Sequence, residues 1–179
     1  MNRRDIEKRA AQLLQHHGVS QAPIPIKEIA EAEGLVVVEM SFNGDISGAL
    51  IRNHGSSGIA VNATQHTNRK RFTIAHELAH YLLDHKDKDE DHIDWKFTVI
   101  RRDGKSSEAS DVQEIEANTF AACLLMPSHF LRADLNNQIG FNGEADLDDA
   151  HIKAMAKKYR VSEMALRFRL ANLGLIPPA

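Results

Sequence analysis

Two histidines four residues apart, the first followed by a glutamate, sit inside the apolar run Arg71-Phe72-Thr73-Ile74-Ala75-His76-Glu77-Leu78-Ala79-His80-Tyr81-Leu82-Leu83. Residues four apart share a helix face, so His76 and His80 can turn their imidazoles to one point. Phe72, Ala75, Ala79, Leu82 and Leu83 recur at three- and four-residue steps, the period of a helix packed into a core. Whatever this chain folds into must therefore bury a helix with two imidazoles and a carboxylate on it. Such groups are costly in an interior unless they are paired or bind an ion. Two neutral imidazoles at this spacing make half of a tetrahedral Zn²⁺ site, and Glu77 is placed to act as general base on a water there. The alternative is a helix whose His and Glu face solvent or bond internally. Chance supplies the motif only about 0.04 times in a chain of this composition, so the metal reading carries more weight.

A catalytic zinc site needs three protein ligands and an open position. After His80 the candidates are His85, His92, the acidic stretch between them, and the carboxylates of Asp111-Val112-Gln113-Glu114-Ile115-Glu116-Ala117-Asn118. A rigid helix holds a ligand better than a loop does. Glu116 aligns with Phe120 and Cys123 at i+4 and i+7, so it faces the core, where a carboxylate needs a partner or a metal. Glu114 lies about 200° round the same helix, so the two cannot both serve one ion. The expected third ligand is Glu116.

Composition bounds the rest. A chain of 179 residues, 42% hydrophobic and 26% charged, suits one compact domain able to bury a core without disulfides. The single Cys123 cannot form an internal disulfide and lies in the apolar run 120–126, where it reads as a small buried hydrophobe in a reducing compartment. The N-terminus has no apolar signal core and no run approaches a membrane span, so a cytoplasmic protein is expected. A net charge of −3 gives no global nucleic-acid signature.

Along the chain, a stripe of Ile6, Ala10, Leu13, Leu14 and His17 predicts a first helix stopped by Gly18, and Ile26 to Glu33 a short second one closed by Gly34. Residues 35–40, 47–52 and 58–62 read as three strands of a small antiparallel meander. Thr67 or Asn68 is placed to cap the motif helix, which should run to about Asp84. The polar stretch 84–92 reads as a solvated loop, and Trp95 to Arg102 as a short strand. A second long helix is expected from Ser110, capped by Ser110 with Gln113 or Asp111 with Glu114, to Met126, ended by Pro127. A short helix from Ser128 through Leu135, a loop at 136–146, and two final helices capped by Asp148 or Asp149 and by Ser162 complete an α+β chain. The loop suggests a division into a domain at 1–135 and a helical extension at 136–179.

The run Arg69 to Leu83, together with Glu116-Ala117-Asn118-Thr119-Phe120-Ala121-Ala122-Cys123-Leu124-Leu125-Met126-Pro127, resembles the ImmA/IrrE family of zinc metallopeptidases. Ser47-Gly48, Ile59-Ala60-Val61-Asn62 and the closing stretch Met155 to Ile176 extend the likeness over nearly the whole chain. Ala79 stands where many relatives have Gly, and the acidic insert at 84–94 is peculiar to this chain. The resemblance implies a zincin-like fold and a gluzincin-like site, with His76, His80 and Glu116 on zinc and Glu77 as catalytic base. It further implies cleavage of a helix-turn-helix transcriptional repressor, relieving repression in a mobile element or after DNA damage. No oxyanion stabiliser is identifiable beyond the weak candidates Tyr81, His85 and Arg71. The strand ending at Asn62 could hold an extended substrate along its edge.

Residues 151–179 carry six Lys and Arg against the single acid Glu163. This pair of helices resembles a helix-turn-helix, which opens DNA or a DNA-bound repressor as partners. The preferred reading is a helical hairpin with Met155, Val161, Met164, Leu166, Leu170 and Leu173 packed inward. A competing function is a zinc-containing regulator that binds a repressor or DNA without proteolysis. An intact Glu77 favours catalysis, since a zinc scaffold has no use for a base beside its ligand.

Overall fold

The computed structural model describes residues 1–42, 46–53, 56–83, 92–95, 107–139 and 147–177. The order of elements is α1 (Arg3–His16), α2 (Ile26–Ala32), β1 (Leu35–Met40), β2 (Ile46–Asn53), β3 (Ser56–Asn62), α3 (Thr67–Leu82), β4 (His92–Trp95), α4 (Ser107–Leu125), α5 (Ser128–Ile139), α6 (Asp149–Tyr159) and α7 (Glu163–Asn172). The fold is α+β, as the alternation of periods in the sequence requires. Two compact units divide the chain: Met1–Ile6 with Pro25–Ala121, and Glu7–Ile24 with Ala122–Ala179. This partition runs through α1 and α4, whereas the 1–135/136–179 split followed loop composition, which carries no information on where α1 packs.

In the first unit the sheet runs β1-β3-β2-β4 and is mixed. β2 and β3 form the expected hairpin, but β1 lies parallel to β3, with Val37 beside Ile59. The antiparallel meander is thus corrected at β1. Neighbouring strands usually pair, but here β3, buried continuously from Ile59 to Asn62, takes the centre and displaces β2 from β1. β3 consequently has partners on both sides, so it has no free edge for a substrate; among the described residues the edges belong to β1 and β4. Strand β4, at His92–Trp95, shares only Trp95 with the strand expected at 95–102 and begins at the last residue of the expected loop 84–92; residues 84–91 and 96–106 lie outside the described ones.

One face of the sheet buries Leu35, Val37, Leu50, Ile59 and Val61, and α3 packs across β2 and β3. The approach is close at Gly48, where an added Cβ would stand 2.4 Å from Thr73 Cγ2 and 2.7 Å from the carbonyl oxygen of Ala60. Only glycine lets this strand come so near the helix. A register shift between Ile46 and Gly48, against β4, bulges β2 at Ser47. Bulges re-aim side chains, and the buried Ser47 Oγ accepts from Gln65 Nε2 at 3.1 Å and Arg69 Nη2 at 3.2 Å. Lys70 adds an ion pair of 2.7 Å to Glu39 of β1. The first turns of α3 are thereby tied to two strands.

In the second unit, Ala10 and Leu14 mark the buried stripe of α1, and the helix ends as expected at Gly18 (φ 64°), with Val19 N donating to Leu14 O. Helix α5 begins at Ser128 but runs to Ile139, beyond the expected Leu135. Asp148 caps α6 by accepting from His151 N at 2.8 Å, and Ser162 caps α7 by accepting from Ala165 N at 3.1 Å, both as the sequence indicates. The His151 backbone hydrogen bond, chiefly, holds the Asp148 carboxyl below the usual carboxylate range. Tyr159 is fully buried and donates to Asp134 Oδ2 at 2.7 Å, while Lys158 pairs with Asp134 Oδ1 at 2.5 Å. Burial first, and Asp134 second, push the Tyr159 phenol above its ordinary range. Met155, Val161, Leu166 and Leu170 pack inward as expected. Met164 does not: it is 67% exposed.

Arg169 is the one buried cation among the described residues. Its Nη2 meets Glu7 Oε1 at 2.6 Å and its Nε donates to Met126 O at 3.0 Å, while Cys123 Sγ donates to Glu7 Oε2 at 3.1 Å. Burial pushes the Glu7 carboxyl up, but the hydrogen bond and charge of Arg169, with hydrogen bonds from Cys123 and Ser128, outweigh it and bring the group down to about 2. A carboxyl depressed from 4.5 to about 2 contributes stability that is complete above pH 4.5 and lost as pH falls towards 2. After discounting for Glu7's partial exposure, the contribution is of order 2 kcal/mol. Replacing Glu7 by Gln is expected to lower Tm at neutral pH, because Arg169 loses its counter-charge. The Tm difference from the parent should shrink as pH is taken from 4.5 to 2. A constant difference across that range, measured by circular dichroism, would remove the ion pair from this account.

Candidate metal centre

Helix α3 is capped by His66, whose Nδ1 accepts from Asn68 N at 3.2 Å, one residue before the expected Thr67 or Asn68. An imidazole nitrogen can fill the role usually given to a short hydroxyl or carboxamide. The helix ends at Leu82, near the expected Asp84. All eight residues from Thr73 to His80 are buried. The helix is therefore enclosed on every side, and His76, Glu77 and His80 lie in the interior, as the apolar spacing around them predicts.

The two imidazoles converge. His76 Nε2 and His80 Nε2 stand 3.0 Å apart, with ring centroids at 4.7 Å. On the other side of the His76 ring, Nδ1 lies 3.1 Å from Asn118 Oδ1. An amide oxygen only accepts, so Nδ1 carries the proton and Nε2 presents a lone pair towards His80. Arg52 Nη2 donates to the His80 carbonyl at 3.3 Å, giving one of the last carbonyls of α3 a cationic partner.

The third member is Glu114. Its Oε2 lies 3.3 Å from His76 Nε2 and its Oε1 3.2 Å from His80 Nε2. Glu116, the choice made from sequence, does not reach the histidines; its carboxylate pairs with the ammonium of Met1. The alignment of Glu116 with Phe120 and Cys123 set the phase of α4 from its apolar residues. The phase is set instead by Glu114 and Asn118, which are four residues apart and face α3 together. That i,i+4 pair of polar residues was the available signal, and Asn118 was missed with it. Helix α4 also starts at Ser107, not at Ser110, so the two capping boxes expected at 110–114 fall inside the helix.

Two imidazole nitrogens and a carboxylate form the His₂Glu set of catalytic zinc sites. Three donor atoms bound at about 2.0–2.1 Å in a tetrahedron stand roughly 3.3–3.4 Å from one another. The imidazole nitrogens stand 3.0 Å apart and the Glu114 carboxylate spans them, with Oε2 3.3 Å from His76 and Oε1 3.2 Å from His80, so that one ligand atom from each residue lies within 4.8 Å of the others. The residues present thus fit a small divalent cation without rearrangement of the chain. Both histidines are buried, whereas the Glu114 side chain is 39% exposed, so the trio opens to solvent on the carboxylate side. Glu77 is fully buried on the same turns of α3, about 100° from His76 and 60° from His80 around the axis. Tyr81 and Arg71 are part-exposed residues of α3, and His85 lies outside the described residues.

Comparison with known proteins follows the same lines. No curated protein matches the chain. A solved structure of a Mycobacterium tuberculosis transcriptional regulator superposes with a TM-score of 0.62 at 15% identity, covering 93% of this chain and 46% of that one. This likeness concerns the fold, and the chain spans about half the length of that protein. Among the described residues no helix is long and apolar enough to cross a membrane. The IrrE N-terminal-like domain, the peptidase M78 family, matches residues 30–171, from α2 through α7, and the chain belongs to that family.

Proposed function

We propose that the chain is a zinc-dependent endopeptidase whose metal is held by His76, His80 and Glu114, with Glu77 as catalytic base. The observation that carries this reading is the convergence of two buried imidazoles and a carboxylate beside a second, fully buried carboxylate. Zinc, when bound, supplies Lewis acidity towards a scissile carbonyl and an attacking water. The chain's own residues do the rest. Asn118 fixes the His76 tautomer, and Arg52 steadies the end of α3 at His80. The Glu77 carboxylate accepts the proton of the attacking water and returns it to the departing amine. An extended substrate would lie along an edge strand, β1 or β4, since β3 is internal.

The substrate proposed is a helix-turn-helix repressor. Its support is the resemblance carried by the two helical motifs. The test is incubation with the repressor encoded beside the gene, with and without zinc, followed by mass spectrometry. Zinc-dependent appearance of two fragments from one bond is expected. Repressor bound but intact in the presence of zinc would replace proteolysis with the regulator that acts by binding alone, and repressor neither bound nor cut would overturn it as the substrate.

A further inference from the structure

We infer that the exposed face of α7 is a docking surface for an acidic amphipathic helix of another protein. Met164 and Phe168 are one helical turn apart on α7 and are 67% and 60% exposed, among the most exposed large apolar side chains described. A helix that packed only as a hairpin partner would turn such residues inward, as it does Leu166 and Leu170. Apolar anchors four residues apart are the spacing by which helices are held in grooves and against faces. Methionine and phenylalanine suit that use, the first by adapting its shape and the second by its large contact area.

Charge decides the partner. Lys153 and Lys157 lie exposed, four residues apart on α6, and Arg160 is exposed in the α6–α7 turn; none has an ion-pair partner among the described residues. The helix pair therefore carries uncompensated positive charge on α6 and in the turn together with two exposed apolar anchors on α7, which complements an acidic segment. DNA is the poorer fit, although the three-residue turn is that of a helix-turn-helix. The second helix of that motif reads bases with polar and basic side chains. On α7 the basic residues are already engaged: Arg167 pairs with Asp149, and Arg169 is buried on Glu7. What remains outward is apolar, with acidic Glu163 at the start.

This inference does not depend on the peptidase reading, and its test needs no catalysis. The full chain is titrated by fluorescence anisotropy with a labelled helical peptide of about 20 residues, built from Glu, Ala and Leu with leucines four apart. Its Lys-for-Glu counterpart and a double-stranded DNA of similar length are titrated alongside. The acidic peptide is expected to bind, and the basic one not. Met164→Ser with Phe168→Ser should weaken binding by about ten-fold or more. Lys153→Glu with Lys157→Glu should weaken it as well and remove its salt dependence. Since all four residues are exposed, unchanged thermal melts should accompany both variants. No binding of the acidic peptide, equal binding by the Met164/Phe168 variant, or preferential binding of DNA would each overturn the assignment.

Discussion

Glu77→Gln is expected to keep zinc and lose proteolysis. Glutamine preserves the size of the side chain and its place on the buried turn of α3, so His76, His80 and Glu114 remain in position. What disappears is a group able to take a proton. General-base assistance is worth about 10²–10⁴-fold, so kcat should fall by that factor while KM changes little. Zinc content, measured by elemental analysis, should stay close to one per chain. A variant that retains cleavage would remove Glu77 from the chemistry, and a variant that also loses zinc would make Glu77 part of the metal's support. Burying a neutral amide where a carboxylate stood also tests the site's polarity: a rise in Tm would show that the native charge is held at some cost to stability, as charges in interiors are.

The second large effect separates two carboxylates one turn-fraction apart. Glu114→Ala is expected to weaken zinc binding by orders of magnitude, because a three-ligand site becomes a two-ligand one. Glu116→Ala should leave zinc affinity within a few-fold, since that carboxylate faces the Met1 ammonium and not the imidazoles. Competition against a coloured chelator reads both. The reverse ranking would mean that α4 turns by about 200° when it takes up metal. Asn118→Ala should fall between the two, in the range of 10–100-fold that loss of a ligand's supporting hydrogen bond brings.

The contrast between these glutamates shows where sequence reasoning reaches its limit. His76, Glu77 and His80 were legible because their relation is local: one helix, fixed period, apolar neighbours on every other position. Choosing between Glu114 and Glu116 required knowing which side of α4 meets α3. The apolar pattern alone assigned that side wrongly, because Ala117, Phe120 and Cys123 face the core while the polar pair Glu114 and Asn118 faces the histidines. Strand existence was legible in the same local way, as were the caps at Asp148 and Ser162 and the stop at Gly18. Strand order was not. Nothing in residues 35–40 says that they will pair directly and in parallel with 56–62, passing over the strand that comes between them in sequence. Met164 illustrates the converse case. Its spacing suits an inward position, and only packing reveals that the core of the α6–α7 pair is filled without it.

The enclosure of α3 has a consequence for how the first unit opens. Backbone amides in a helix with one solvated face can exchange with water by small local fluctuations. Those of residues 73–80 have no such face, so their exchange requires the surrounding unit to come apart. The segment that would perform the chemistry is therefore expected among the slowest-opening pieces of its unit, with its mobility tied to the unit's cohesion. Any adjustment of activity by loosening must be made elsewhere, at the one partly solvated member of the trio, Glu114, and the helix that carries it.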